Sequence, residues 1–204
     1  MNRRATSLSV LPCLLWAVVG PAPAASQKLP TLDAALAALQ IENTSNGATQ
    51  YLLDRGKEDP NVKKYLAERL PTILDQYNER TDDIPNFVWG NEAKIAGEFR
   101  ILEAIPMLAR RIDMLTSGHM GGGQGYNFFE RAADNALVNI GPPAVPAVID
   151  VLKHGNGLQR EIAAHVLQEI GSDAAWHALE EALPREKDPK VHDRIDKALK
   201  SRRR

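Results

Sequence analysis

Residues 130–152 read ERAADNALVNIGPPAVPAVIDVL, and residues 160–183 read REIAAHVLQEIGSDAAWHALEEAL. Laying Gly171 on Gly141 places Ala163 on Ala133, Leu167 on Leu137, Ile170 on Ile140 and Leu179 on Ile149. A constant offset of thirty residues within a helical pattern means helix pairs that stack on their neighbours. One such pair has too little apolar face to be stable alone, so the pattern predicts an all-α chain built as an α-solenoid of stacked helix pairs. Its predicted core includes Leu137, Ile140, Val145, Val148, Leu167, Ile170 and Leu179. Gly141 and Gly171 are placed to end the first helix of each pair and turn the chain. Pro142 and Pro143 cannot continue that helix but suit the start of the second.

The rest of the chain is also helical in period, and Val, Ile and Thr never form an alternating run long enough for a strand. Thr31, after Pro30, is placed to cap a first helix with Leu32, Ala35, Leu36 and Leu39 on one face. Asn43 to Gly47 is expected to be a break, followed by a short helix that ends at Gly56 as a left-handed cap. Asp59-Pro60 opens the next helix with proline at its first position. Pro71 is expected to break it, with a further helix over 72–79 and a linker over 81–90. Asp188-Pro189 opens the last helix in the same way. Asp59, Pro60, Val62 and Leu70 have counterparts at Asp188, Pro189, Val191 and Leu199.

Another repeat lies between these segments. Glu103-Ala104-Ile105-Pro106-Met107-Leu108 echoes Pro143-Ala144-Val145-Pro146-Ala147-Val148 at an offset of forty. Ile101 then stands where Gly141 stands, so this repeat lacks a glycine at that position. The extra residues are 116–125, TSGHMGGGQG, an insertion expected to form a loop on one face of the stack. The lines Ala136-Leu137-x-x-Ile140-Gly141-x-x-Ala144-Val145-Pro146-Ala147-Val148 and Val166-Leu167-x-x-Ile170-Gly171 resemble HEAT-like repeats. They are similar to the short, thirty-residue kind also found in phycobilin lyases and in many bacterial scaffold proteins. The resemblance runs from about Glu92 to Leu199 and implies a superhelix whose second helices line a concave binding surface. It carries a fold and no particular activity.

The N-terminus reads as an export signal. Arg3 and Arg4 precede an apolar run from Leu8 to Gly20, and Ala22 and Ala24 fit an A-x-A cleavage site. Cleavage after Ala24 removes Cys13, the single cysteine, so the mature chain has no disulfide or thiolate metal site. The 25 Lys+Arg lose Arg3 and Arg4, leaving 23 against 26 Asp+Glu, a net charge near −3. Nucleic-acid binding needs a concentrated basic face, so it is not expected. No second apolar segment of membrane length follows, and the expected location is periplasmic or secreted. The expected organisation is a signal peptide over 1–24, an N-terminal helical capping region over 25–90, and HEAT-like repeats over 91–204.

Catalytic motifs are not recognisable. His165 with Glu169, His177 with Glu181 and His192 with Asp196 each share a helix face, as a metal pair or as surface polar pairs. The glycine-rich insertion lacks G-K-[ST] and follows no strand, so it is no phosphate loop. Aromatic residues are only 5% of the chain, yet Phe87, Trp89, Tyr126, Phe128 and Phe129 gather around the central repeat. They are either partner-binding anchors or plugs where the repeat spacing is irregular. Arg110 and Arg111 end a second helix, where they meet an acidic partner or complement the helix dipole. The expected partner-binding set is Phe87, Trp89, Arg110, Arg111, Tyr126 and Phe128, with no catalytic residue, cofactor or metal. The expected function is an exported, non-enzymatic scaffold that binds a protein or peptide. The alternative is a lyase-like or other groove-based enzyme of the same repeat family.

Overall fold

The computed structural model describes residues 31–76, 86–119 and 127–202. The expected signal segment over 1–24 lies outside them. Helix α1 (Leu32–Leu39) starts at Thr31, whose Oγ1 accepts from the Ala34 N–H at 3.1 Å, as its composition predicts. Helix α2 (Glu42–Glu58) is continuous, so Asn43 to Gly47 is no break. Its polar residues are absorbed by the helix: the Ser45 N–H donates to the Ile41 carbonyl, and the Thr49 hydroxyl donates to the Ser45 carbonyl at 2.8 Å. Gly56 is therefore no cap. It stands inside α2 against the ring of Phe99, where a Cβ would lie 2.3 Å from the ring's Cζ.

Helix α3 (Pro60–Gln76) opens at Asp59-Pro60, with Asp59 Oδ1 accepting from the Asn61 N–H at 2.9 Å. Pro71 does not break it. Leu66, Leu70 and Leu74 are fully buried on both sides of the proline, so packing carries the helix through a position that costs it a backbone bond. Helix α4 (Asn86–Glu98) takes up the second half of the expected linker. It ends with the Ile101 N–H donating to the Ala96 carbonyl at 2.9 Å and with Arg100 at φ 52°, which does the turning that glycine does elsewhere.

A 3-10 turn (Leu102–Ala104) leads into α5 (Ile105–Arg110). Forty residues on, the 3-10 turn Pro142–Ala144 leads from α6 (Ala132–Ile140) into α7 (Val145–His154). The forty-residue alignment is thus reproduced element by element. Helix α8 (Gly157–Ile170) ends at Gly171 with φ 63°, and α6 ends at Gly141 with φ 82°. Asn156 and Gln159 form a reciprocal cap at the start of α8. Helix α9 (Asp173–Ala182) and a 3-10 turn (Leu183–Arg185) precede α10 (Pro189–Arg202), which Asp188 caps as Asp59 caps α3.

Among the described residues the one departure from helix is a hairpin. Strand β1 (Thr116–His119) pairs antiparallel with β2 (Asn127–Glu130), Thr116 opposite Glu130 and His119 opposite Asn127. The start of the expected loop over 116–125 is therefore a strand, paired with one just beyond the loop's end. An alternating run is not needed for so short a ladder, because a hairpin requires only two facing segments with a turn between them. The fold is otherwise all-α. Helices α4, α6, α8 and α10 touch in succession, α5, α7 and α9 touch in succession beside them, and α2 and α3 lie against α4 and α5. One apolar core runs through both rows from Ala35 to Leu199. Ala133, Leu137, Ala163 and Leu167 are fully buried in it, as the thirty-residue alignment predicts. Among the described residues no single helix is long and apolar enough to cross a membrane.

Candidate functional site

An open cleft of about 320 Å³ lies between α7 and α9. On α7 the spacing i, i+3, i+4 turns Ile149, Leu152 and Lys153 to one side, and on α9 the same spacing turns Ala178, Glu181 and Ala182 toward them. Ile149, Leu152, Ala178 and Ala182 make an apolar floor. Arg160 of α8, Arg185 of the 3-10 turn, and Glu186 and Lys187 beyond it complete the walls.

One wall is fixed by a bidentate ion pair. Arg160 Nε and Nη2 donate to the two oxygens of Glu186, each at 2.9 Å, and Nη1 donates to the Gly155 carbonyl at 2.9 Å. The Glu186 carboxylate also accepts the backbone N–H of Lys187 at 2.9 Å and of Asp188 at 2.8 Å. These donors, the Arg160 guanidinium first, hold the Glu186 pKa below the ordinary carboxylate value, and the hydrogen bond to the Glu186 carboxylate raises that of Arg160. Glu181 pairs with His177 at 3.5 Å. The side chains of Lys153, Arg185 and Lys187 make no hydrogen bond or ion pair with any described residue. The cleft therefore combines an apolar floor with three uncommitted cations at its rim.

A second polar group is sealed in the interior. Glu92 on α4 is 0% exposed; its Oε1 accepts from Gln40 Nε2 at 3.3 Å and its Oε2 has no partner among the described residues. Burial pushes its pKa up to about 8, so at neutral pH it is mostly the protonated acid. Trp89 Nε1 and Asn91 Nδ2 on the same helix are also buried without partners among the described residues. Glu92 is fully buried, so keeping its carboxyl neutral costs the fold stability above the free-carboxyl pKa.

The six residues expected to bind a partner do not converge on the cleft. Trp89 is fully buried, which corrects its reading as an exposed anchor: α4 points it into the core, where it fills space as a plug. Phe87 lies in the first turn of α4 and Phe128 in β2 opposite Gly118, while Tyr126 lies outside the described residues. Arg110 is exposed and pairs with Asp75 at 3.4 Å, and Arg111 caps the end of α5. His165 and Glu169 lie 3.8 Å apart on a partly exposed face, and Asp196 pairs with Lys200 at 2.5 Å. Among the described residues no three His, Cys, Asp or Glu side chains group as metal ligands.

Sequence reasoning missed Lys153, Arg160, Arg185 and Lys187. The run Arg185-Glu186-Lys187 between Pro184 and Asp188 is a visible charged turn. Nothing local shows that Glu186 meets Arg160, twenty-six positions earlier. Comparison with known proteins finds no matching family model, no similar curated protein and no similar solved structure.

Proposed function

We propose that this chain is an exported, non-enzymatic scaffold of HEAT-like repeats that binds a protein or peptide partner. The observation that carries the reading is the place of the cleft. It lies between α7 and α9, the second helices of consecutive pairs, where stacked repeats present their binding surfaces. The two successive rows of helices and the thirty-residue sequence repeat support the solenoid arrangement, and the segment over 1–24 supports export. Affinity capture with the mature chain as bait, from the exported fraction, tests the scaffold. A reproducible partner is expected, and repeated capture of none would count against it. Turnover of an ester or tetrapyrrole by the purified protein would replace the scaffold with the enzymatic alternative. N-terminal sequencing of exported material is expected to start near Ala25, and a start at Met1 would remove the export claim.

A further inference from the structure

We infer that the cleft between α7 and α9 takes an acidic peptide segment carrying an apolar side chain; this rests on the scaffold reading and names its ligand class. The floor of Ile149, Leu152, Ala178 and Ala182 suits an apolar side chain, which gains by leaving water. The rim supplies the charge. Lys153, Arg185 and Lys187 are exposed and without partners among the described residues. The two acids of the cleft do not neutralise them. Glu186 is saturated by Arg160 and two backbone N–H groups, and Glu181 alone offsets one of the three cations, which leaves an excess of two positive charges. This local positive excess stands in a chain whose formal net charge is −1, so it is not a general surface property. Helix-end complementarity accounts for Lys153 in the last turn of α7, but not for Lys187, which lies outside any helix. Carboxylates flanking an apolar residue would pair with the rim while that residue sits on the floor. A basic segment would be repelled.

The test uses the full chain and a short fluorescent peptide with a central leucine among aspartates and glutamates. Its controls replace the leucine by alanine or the acids by lysine. Anisotropy is expected to show saturable, salt-sensitive binding of the first peptide, weaker binding of the alanine peptide, and none of the lysine peptide. The triple variant Lys153→Gln, Arg185→Gln and Lys187→Gln is expected to lose about tenfold or more in affinity with its circular dichroism unchanged. Should the triple variant misfold, Lys187→Gln alone, outside any helix, is expected to lose roughly twofold to fivefold. Equal binding by wild type and variant, or binding of the lysine peptide, overturns the inference. So does complete displacement by millimolar inorganic phosphate, which would mark a small-anion site. A partner captured equally by wild type and triple variant would leave the scaffold standing and overturn the cleft assignment. No captured partner and no peptide binding would remove both.

Discussion

Glu92 and Glu186 are opposite solutions to placing a carboxyl inside a helical protein. Glu92 has one hydrogen bond and no cation, so its folded pKa of about 8 lies above the value of 4.5 for a free carboxyl. The unfolded chain ionises first. The stability that neutral Glu92 allows is thus complete below about pH 4.5 and is lost as pH rises toward 8. We expect Glu92→Gln to be more stable than wild type by on the order of 3 kcal/mol at pH 7, with little difference at pH 4. Urea unfolding at the two pH values checks this, and an equal difference at both would show that Glu92 does not titrate as described. Glu186 behaves in the opposite sense. Its depressed pKa means that its contribution is complete above the free-carboxyl value and disappears as pH falls through the lower, folded value. Glu186→Gln should cost about 1–3 kcal/mol at pH 7 and converge on wild type in acid. A constant penalty across that range would assign the loss to packing instead. At this scale the caps were legible, because Thr31, Asp59 and Asp188 act on backbone within three residues of themselves. Trp89 was not, because its burial depends on helices far away in sequence.

Two glycines in the helices separate packing from propensity. Gly97 on α4 meets α6 so closely that a Cβ would lie 2.7 Å from the Ala136 Cα, while Gly47 on α2 has nothing within 4 Å. Gly97→Ala must push α4 from α6 and should destabilise by about 1–3 kcal/mol. Gly47→Ala meets only solvent and should stabilise by about 0.5–1 kcal/mol through helix propensity. Thermal melts of both variants suffice, and a neutral Gly97→Ala would show that the two helices yield. Element boundaries were readable where a local signal stood alone, as at Gly141, Gly171 and the two Asp-Pro starts. They were misread where tertiary contact overrode it. The Asn43–Gly47 run looks like a break, but Ser45 and Thr49 are buried on the inner face of α2 and hold it helical. Pro71 survives inside α3 for the same reason. The hairpin was missed because strand pairing joins residues eight to fourteen positions apart, and no single segment announces it.

Across the described residues each helix of the C-terminal half packs mainly on its neighbours in the two rows. Helix α8 is central there, with α6, α7, α9 and α10 all against it, and Leu167 is fully buried at that junction. Leu167→Asp puts an unpaired charge into the core at a cost of several kcal/mol. We expect it to melt α7 to α10 while α1 to α3 keep slow amide exchange, and uniform loss of protection would show a single cooperative unit instead. The helix ends at Gly141 and Gly171 were legible in the sequence. The cleft was not, because its walls come from three helices and a turn spread over 149–187. The hairpin has a practical corollary. Thr116 faces Glu130 across the ladder, so the chain leaves and rejoins the helical body at adjacent points. The seam between His119 and Asn127 is thus a natural splice port. A folded guest whose own termini lie close together could be grafted there, with the host's melting temperature expected to stay within a few degrees.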